Sequence, residues 1–208
     1  MKQKQKKLPA RTVERLSKYR RLLSKYSSNA ENYIFSHDLA RLLNLTPVQV
    51  RRDLMLVGLS GNHRKGYNVS ELIAHIGEVI DTETGHNIAI VGMGNLGRAV
   101  TSFIRKNETK MNIVAGFDVD VDKTNREISG VHCYHIGHIE SKIKELQIDI
   151  AVLTISPDAS VEITDILVGA GIKGILNFTS VHLDVPQGVY LKNYDIITSL
   201  EEIGFFIK

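Results

Sequence analysis

The stretch Ile88-Ala89-Ile90-Val91-Gly92-Met93-Gly94-Asn95-Leu96-Gly97 joins an apolar run to a G-x-G-x-x-G turn, and helical spacing follows it. This order is typical of the first β-α unit of a dinucleotide-binding fold. There the first glycine forms a tight turn, the second lets the backbone approach a pyrophosphate, and the third lets the helix pack on the strand. The pyrophosphate binds the N–H groups at the helix start. The cofactor-contacting turn is therefore predicted to be Gly92, Met93, Gly94, Asn95, Leu96 and Gly97.

Beyond this turn, apolar runs alternate with helical patterns. Strands are predicted over 111–117, 131–134, 148–155 and 174–177, and helices over 95–106, 138–146 and 157–169. Such alternation predicts an α/β domain with a parallel sheet that is covered by helices on both faces. Ligands of these sheets bind at the carboxyl ends of the strands. The further cofactor-contacting residues expected there are Asp118, Ser156, Asn177 and Phe178.

Asp118 also indicates which dinucleotide binds. It lies 21 residues after Gly97, about where an acidic side chain bonds the adenine ribose hydroxyls. A carboxylate there repels a 2′-phosphate, so the expected cofactor is NAD(H). Lys123 and Arg126 lie close by in the sequence and weaken this repulsion slightly.

Charge is distributed unevenly along the 208 residues. Residues 1–68 contain 15 Lys/Arg and 4 Asp/Glu, a net charge of +11, whereas residues 69–208 contain 11 and 19, a net charge of −8. A basic segment beside an acidic one indicates that the first contacts a polyanion, and nucleic acid is the leading candidate. A solvated charged face with a Lys-rich tail is the alternative that charge alone leaves open.

The basic segment has the helical pattern of a small DNA-binding domain. Apolar residues between 13 and 26 recur at three- and four-residue intervals and predict a first helix that ends near 27–29. A second helix is expected to start at Ser36 as its N-cap and to stop at Asn44. Residues 44–46 connect it to a third helix, so the two form a helix-turn-helix.

The third helix is predicted from the capping-box sequence Thr46-Pro47-Val48-Gln49. Its apolar face is expected to consist of Val48, Leu54 and Leu56, with Val57 near the end. A helix in the major groove presents its N-terminal residues to base edges, where Arg bonds guanine and Gln bonds adenine. Gln49 and Arg51 or Arg52 have this chemistry at suitable positions.

A glycine-punctuated, basic stretch over 58–69 follows the third helix and is interpreted as a β-hairpin wing. Arg64 and Lys65 at its tip could enter a minor groove. A small helical bundle with surface arginines remains the alternative for each element taken singly. The complete predicted set of DNA-contacting residues is Ser36, Thr46, Gln49, Arg51, Arg52, Arg64, Lys65 and Tyr67.

A helix over 69–80 and a polar link over 81–86 separate the two regions, which predicts a DNA-binding domain over 1–82 and a dinucleotide-binding domain over 83–208. No apolar run approaches the roughly 18 residues that span a bilayer, and no secretory signal precedes the first helix. The single cysteine, Cys133, excludes an intramolecular disulfide framework and fits a reducing compartment. A cytosolic protein is expected.

The dinucleotide-binding region carries no recognisable catalytic apparatus. Its roughly 120 residues leave no room for the substrate domain that a dehydrogenase needs, and none of the seven tyrosines has a lysine four positions later. His132, Cys133, His135 and His138 form a local group of potential metal ligands, but the side chains of 132 and 135 point to opposite faces of a strand. No catalytic residue and no metal site is predicted.

The two regions together resemble the Rex family of redox-sensing transcriptional repressors over nearly the whole chain. The resemblance is carried by Leu8-Pro9, Arg15-Leu16, residues 19–22, 49–54, 58–67, 92–97, 117–120 and 170–178. It implies a winged helix-turn-helix followed by a Rossmann-like NAD-binding domain, and it adds Val119 to the expected cofactor contacts. It also implies a bacterial homodimer that binds palindromic operators with NAD+ or without cofactor and releases them when NADH binds.

The resemblance further implies how cofactor state reaches the DNA. The apolar C-terminal segment, about 198–207, is expected to be a helix that is exchanged between subunits. Arg21 and Asp195 match family positions that pair when the dimer is competent to bind DNA. The tyrosine usual on the nicotinamide side is Phe103 here, which removes a hydroxyl that could bond Asp195.

Two other functions remain open from the sequence. One is an NAD-dependent oxidoreductase with a fused DNA-binding domain, which would require a catalytic acid or base in the cleft. The other is a DNA-binding regulator in which NAD serves only as structural support. Its operator affinity would not depend on the ratio of NADH to NAD+.

Overall fold

The structure is a computed structural model that describes residues 8–26, 32–62, 64–107 and 110–207. The chain divides into two compact units, Met1–Glu83 and Thr84–Lys208. The first unit is mainly helical, and the second contains a seven-stranded sheet with helices. Among the described residues, no helix is both long and apolar enough to cross a membrane.

The first unit is a helix-turn-helix domain with a small two-stranded sheet. Its elements in chain order are α1 (Ala10–Tyr26), β1 (Tyr33–Ile34), α2 (Ser36–Leu42), α3 (Pro47–Leu56), β2 (Tyr67–Asn68) and α4 (Val69–Ile80). The core lies between these helices, and its largest fully buried side chains are Leu16, Tyr19, Leu23, Leu39, Leu54, Leu72 and Ile76. The expected end of the first helix at 27–29 falls outside the described residues.

The wing differs from the expected local hairpin. β2 pairs in antiparallel register with β1, which lies before α2 in the chain, so that Tyr33 faces Asn68 and Ile34 faces Tyr67. A separate bridge between Asn62 and Gly66 closes the tip. Two-residue strands give too short an alternation to be recognised from sequence, which is why β1 was not predicted.

The second unit contains the predicted strands and two that were not predicted. In chain order it comprises β3 (His86–Val91), α5 (Asn95–Lys106), β4 (Met111–Asp118), β5 (Arg126–Ile128), β6 (Val131–His135), α6 (Ile139–Glu145), β7 (Ile148–Leu153), α7 (Pro157–Ala170), β8 (Gly174–Asn177), β9 (Tyr190–Asn193) and α8 (Ile196–Phe206). β5 and β9 are mostly exposed and lie at the two edges of the sheet, where little apolar patterning is required.

The strand order of the sheet is β5-β6-β4-β3-β7-β8-β9, and every neighbouring pair is parallel except β5 with β6. Without β5, the strands lie in the order third, second, first, fourth, fifth, sixth, which is that of a doubly wound dinucleotide-binding sheet. Side chains from both faces pack against the helices, with Phe117, Leu153 and Leu167 fully buried. The predicted α/β fold class is confirmed, and the sheet reverses its strand order between β3 and β7.

Two helix boundaries differ from expectation. α2 begins at Ser36 itself and has Phe35 as its N-cap, so Ser36 is not the capping residue. α8 begins at Ile196, two residues before the predicted start, because Asp195 accepts a hydrogen bond of 3.0 Å from the backbone N–H of Thr198 and caps the helix. An acceptor side chain at this position satisfies one of the free N–H groups of the first turn.

Candidate DNA-contacting surface and dinucleotide site

The N-terminus of α3 is held by the predicted capping box. The hydroxyl of Thr46 accepts a hydrogen bond of 3.2 Å from the backbone N–H of Gln49, and Oε1 of Gln49 accepts one of 3.3 Å from the backbone N–H of Thr46. A bidentate contact with adenine needs both ends of the Gln49 amide. The cap turns Oε1 of Gln49 towards Thr46, and the adenine contact of Gln49 stays a prediction.

Arg51 projects from the exposed side of α3 and is oriented by α2. Its Nη1 donates a hydrogen bond of 3.2 Å to the hydroxyl of Ser36. The contact between the two helices fixes one nitrogen of the guanidinium and leaves the others available. Ser36 therefore acts on Arg51 rather than as a helix cap, and Arg52 lies beside Arg51 on the same exposed surface.

The expected apolar face of α3 was wrong at Val48. Val50, Asp53 and Leu54 are the buried residues of this helix, whereas Val48 is 65% exposed. The buried set has the spacing i, i+3, i+4, and Val48 lies outside it because a helix turns by 3.6 residues. Asp53, which the apolar pattern did not include, occupies the buried face in place of a hydrocarbon side chain.

Asp53 attaches α3 to α1 through a network of hydrogen bonds. Its carboxylate accepts bonds from Nε and Nη2 of Arg15 at 2.6 and 2.7 Å and from the hydroxyl of Tyr19 at 2.7 Å. Burial opposes ionisation of Asp53, but the bonds from Arg15 and Tyr19 outweigh it and hold the pKa of this carboxyl below its ordinary value. The network fixes the orientation of the exposed side of α3.

The tip of the wing carries its two basic residues on a tight turn. The backbone N–H groups of Arg64 and Lys65 donate to Oδ1 of Asn62 at 2.8 and 3.2 Å, and both side chains are exposed. The ammonium of Lys65 lies 6.0 Å from the ring centroid of Tyr33. Tyr67 differs from these residues because it is half-buried and its ring packs under Gly61, where a Cβ would come within 2.7 Å.

The glycine turn after β3 is built as its sequence predicts. Gly92 has a φ of +95°, which favours glycine, and a Cβ there would lie 2.7 Å from the backbone oxygen of Thr154. A Cβ on Gly97 would collide with the backbone oxygen of Gly92 and lie 2.9 Å from Oγ1 of Thr154. The first and third glycines therefore serve close packing within the turn.

Gly94 has a different role, because a Cβ placed on it would meet no heavy atom within 4 Å. The space in front of it is open, and the first turn of α5 begins there, with N–H groups that no preceding helical turn can bond. Gly94 thus leaves the approach to the helix N-terminus free. An anionic pyrophosphate fits this place in both shape and charge.

Asp118 lies beside the glycine turn, and the turn (92–97) and Asp118 together form the dinucleotide cradle. Its Oδ2 accepts a hydrogen bond of 2.9 Å from the backbone N–H of Met93, and Oδ1 accepts one of 3.0 Å from the N–H of Asp120. Lys123 donates to Oδ2 at 3.2 Å. Asp118 is only 7% exposed, whereas Val119 beside it is 70% exposed. The carboxylate is therefore fixed next to the glycine turn, and its contact with a ribose stays a prediction.

Two residues that sequence analysis did not select support this cradle. Oγ1 of Thr154, just after β7, donates to the backbone oxygens of Val91 and Gly92 at 3.0 and 2.8 Å and thereby links the two strands at the switch point. Lys123 bridges Asp118 and Asp120. Thr154 could have been found from its place at a strand end, whereas the contacts of Lys123 depend on a turn that sequence did not specify.

The remaining predicted cofactor contacts lie at the ends of strands and differ in how far they are buried. Ser156 is exposed at the start of α7. Asn177 is fully buried, and its amide bonds Val181, Asn193 and Thr179 within the fold. The Asn177 amide thus shapes the loop after β8, and the cofactor contact of Asn177 stays a prediction. Phe178 is half-buried with its ring 5.4 Å from that of Tyr194.

The three predicted switch residues lie on α1 (Arg21), at the N-cap of α8 (Asp195) and on α5 (Phe103). Arg21 is exposed on α1. Asp195 caps α8 through the N–H of Thr198 and also accepts a bond of 2.7 Å from its hydroxyl, and the backbone bond lowers the pKa of the Asp195 carboxyl. Phe103 is 64% exposed on α5.

The histidines around Cys133 have other contacts. Nδ1 of His135 accepts a hydrogen bond of 3.2 Å from the backbone N–H of Gly137, and the ring of His132 packs on Tyr134. Burial raises the pKa of the Cys133 thiol to about 11. Among the described residues, no three His, Cys, Asp or Glu side chains are grouped as metal ligands would be.

Fold and geometry define a class of protein with a helix-turn-helix unit and a separate dinucleotide-binding unit. Comparisons with known proteins give the same division into two parts. The family described as "Putative DNA-binding protein N-terminus" matches residues 7–54, and the family described as "CoA binding domain" matches residues 82–181. A curated relative from Geobacillus sp. (strain WCH70), the redox-sensing transcriptional repressor Rex, is 36% identical over 100% of this chain and 96% of that protein.

Two solved structures of a Rex-family repressor named RSP match at similar extent. RSP in complex with β-NAD+ and operator DNA is 31% identical, with a TM-score of 0.87 over 97% of this chain and 93% of that chain. RSP in complex with β-NADH is 30% identical, with a TM-score of 0.85 over 97% and 95%. The chain belongs to the Rex family of redox-sensing transcriptional repressors.

Proposed function

We propose that this protein represses transcription by binding a palindromic operator when its second unit holds NAD+ or no cofactor, and that NADH releases the DNA. One observation carries the proposal: a basic helix-turn-helix with two exposed arginines on α3 occurs in one chain with the dinucleotide cradle at Gly94 and Asp118. The RSP complexes with operator DNA and with β-NADH support the same pair of ligands.

α3 is the recognition helix in this proposal and enters the major groove. Arg51 bonds the O6 and N7 atoms of a guanine, and Ser36 restricts its guanidinium before the DNA arrives, which lowers the entropy lost on binding. Arg52 contacts a neighbouring base or phosphate. Arg64 and Lys65 at the tip of the wing contact the DNA backbone or the minor groove. Their positive charges are attracted by the negative electrostatic potential there more than by particular bases.

The second unit binds NAD(H) with the pyrophosphate over Gly94 and the N-terminus of α5, and with the adenine ribose on Asp118. The bound cofactor supplies a nicotinamide whose charge and shape differ between its two redox states. A ligand shifts an equilibrium only through its different affinities for the two states of the protein. NADH must therefore bind the DNA-incompetent arrangement more tightly than NAD+ does.

A homodimer connects the two functions. None of the residues of α8 is buried, although it carries Ile196, Ile197, Leu200, Ile203, Phe205 and Phe206. An exposed surface this apolar marks a contact with another chain, and exchange of α8 between two subunits covers it. A two-fold dimer places two recognition helices on two half-sites, which is why the operator is palindromic. Pairing of Asp195 with Arg21 would stabilise the DNA-competent form.

We assign the protein to the bacterial cytosol, where operator DNA and the nicotinamide pool are both present, and we infer that it acts as a regulator rather than as an enzyme. The buried Cys133 fits a reducing compartment. The competing oxidoreductase function requires a catalytic acid or base near the nicotinamide, and turnover of a hydroxy or oxo substrate would support it.

DNA binding provides the test. An operator is selected from a random pool by the purified protein, and its affinity is measured by fluorescence anisotropy at one stated salt concentration, because phosphate contacts make affinity depend on salt. We expect NADH to weaken operator binding, whereas NAD+ at the same concentration should leave it unchanged. Equal affinity with both cofactors would instead favour a regulator in which NAD is only structural support.

A further inference from the structure

The exposed side of α3 carries apolar side chains at both ends. Val48, Arg51, Arg52 and Met55 follow one another at i, i+3, i+4 and i+7, so they form a single stripe on the helix opposite the buried Val50 and Leu54. Val48 is 65% exposed and Met55 is 69% exposed. Solvent alone would favour polar side chains at both places.

The four residues of this stripe, with Leu56, line one groove of about 430 Å³ on the surface of the first unit. Its walls combine the side chains of Arg51 and Arg52 with apolar surface from Val48 and Met55. The guanidinium groups of the two arginines favour an anionic or hydrogen-bond-accepting partner. The apolar side chains of Val48 and Met55 favour contact with a hydrocarbon group. The occupant therefore presents both kinds of surface within a short distance.

The major groove of DNA has this combination of surfaces. Guanine exposes the O6 and N7 acceptors that bond Arg, and thymine exposes a C5-methyl group that apolar side chains contact. Val48 and Met55 lie seven residues apart, roughly 10 Å along the helix. This separation corresponds to about three base steps.

We propose that Val48 and Met55 contact the methyl groups of two different thymines in each half-site, on either side of the base pairs that Arg51 and Arg52 contact. Both side chains are then covered by DNA in the complex, which explains their exposure in the free protein. This inference rests on the proposed function, because it requires that α3 enter the major groove.

Replacement of thymine by uracil removes one methyl group and leaves base pairing unchanged. The selected operator is therefore synthesised with uracil at one symmetric thymine pair at a time, and each Kd is measured by anisotropy without added cofactor. Wild-type protein should lose about fourfold in affinity for each contacted methyl group, from the ~0.8 kcal/mol that burial of one CH₂ contributes, and so about 15-fold for each symmetric pair of contacted thymines. Thymines outside the contact should show no loss.

Val48→Ala should abolish the uracil penalty at one thymine, and Met55→Ala should abolish it at another. Alanine favours the helix, so neither variant is expected to unfold. Val161→Ala is the matched control, since it removes the same atoms from an exposed position on α7, and it should keep every penalty.

Three results overturn the inference: uracil tolerated at every thymine by the wild type, or the full set of penalties kept by Val48→Ala, or the full set kept by Met55→Ala. A change in oligomeric state on sedimentation of Val48→Ala, with its penalties intact, would show that the groove contacts protein instead. Failure of the wild type to bind any DNA would contradict the proposed function itself, and it is therefore distinct from all three.

Discussion

The carboxylate of Asp53, on the buried face of α3, accepts a hydrogen bond of 2.7 Å from the hydroxyl of Tyr19 on α1. Arg15 on the same helix donates two further bonds to it. A charged residue is thus buried in the core of the first unit, where its partners fix the helix that carries Arg51 and Arg52. Removal of one partner from such a network leaves the others without compensation.

Substitution of Asp53 should therefore destabilise the first unit. We expect Asp53→Asn to lower the free energy of unfolding by about 3 kcal/mol, because the half-buried Arg15 loses its counter-charge. Tyr19→Phe should cost less, about 1.5 to 3 kcal/mol, since it removes one bond to a charged group. Urea denaturation followed by circular dichroism measures both, and an unchanged midpoint for Asp53→Asn would show that the network contributes nothing.

The same carboxylate predicts how stability depends on pH. The pKa of Asp53 is lower in the folded protein than in the unfolded chain, so its stabilisation is fully present above the unfolded value near 4 and is lost as pH falls through the folded value. We expect wild-type protein to lose stability below about pH 4 more steeply than Asp53→Asn does. Parallel acid profiles for the two proteins would contradict this linkage.

The second and third glycines of the turn should respond in opposite ways to alanine. A Cβ on Gly94 meets nothing within 4 Å, so Gly94→Ala should fold with unchanged stability but lose about tenfold or more in NADH affinity, ~1.4 kcal/mol, since the methyl group fills the approach of the pyrophosphate. Gly97→Ala should lose stability because its Cβ collides with Gly92. Thermal unfolding measures the loss of stability, and NADH titration measures the loss of affinity. Full NADH affinity in Gly94→Ala would show that the pyrophosphate does not bind at Gly94.

Thr154 should matter to cofactor binding without contacting the cofactor. Thr154→Val removes the bonds to Val91 and Gly92 and should cost about 1 kcal/mol of stability together with a several-fold loss of NADH affinity. Thr154→Ser keeps the hydroxyl and should restore both. Wild-type behaviour of Thr154→Val together with losses in Thr154→Ser would show that packing of the methyl group rather than the hydroxyl supports the turn.

Ser36 offers a test of base recognition by Arg51. Ser36→Ala frees one guanidinium nitrogen, and we expect a partial loss of discrimination at one base pair with no change in stability. Arg51→Ala should abolish that discrimination, whereas Lys65→Ala should weaken binding to all sequences evenly and lower the salt dependence. Competition with single-base operator variants distinguishes these patterns, and a uniform loss in Arg51→Ala would place this residue on the phosphate backbone.

Regular periodicity and glycine chemistry made much of this fold predictable. The glycine turn, the capping box at Thr46 and the parallel strands each follow from local patterns that tertiary structure preserves. Asp118 was recognisable as a candidate because its spacing from Gly97 is that of the ribose-binding acid in dinucleotide-binding folds. The fold class of a helix-turn-helix unit followed by a Rossmann-like unit is therefore available from sequence.

The errors arose where a side chain has a tertiary partner. Ser36 has the chemistry of an N-cap but bonds Arg51 instead. Val48 is apolar and yet exposed, because it lies on the side of α3 opposite the buried Val50, Asp53 and Leu54. Asp53 is accommodated in the core because Arg15 compensates its charge and Tyr19 donates a hydrogen bond to it. The partners of Asp53 lie more than 30 positions away in the sequence, which periodicity does not detect.

Coupling between cofactor and operator is most directly measured by titrating NADH calorimetrically into the free protein and into the protein saturated with operator. Linkage requires the factor by which NADH weakens DNA binding to equal the factor by which DNA weakens NADH binding. We expect NADH to bind the operator complex several-fold more weakly than the free protein, and NAD+ to bind both alike. Equal NADH affinity with and without operator would show that the two units act independently and would contradict redox sensing by this chain.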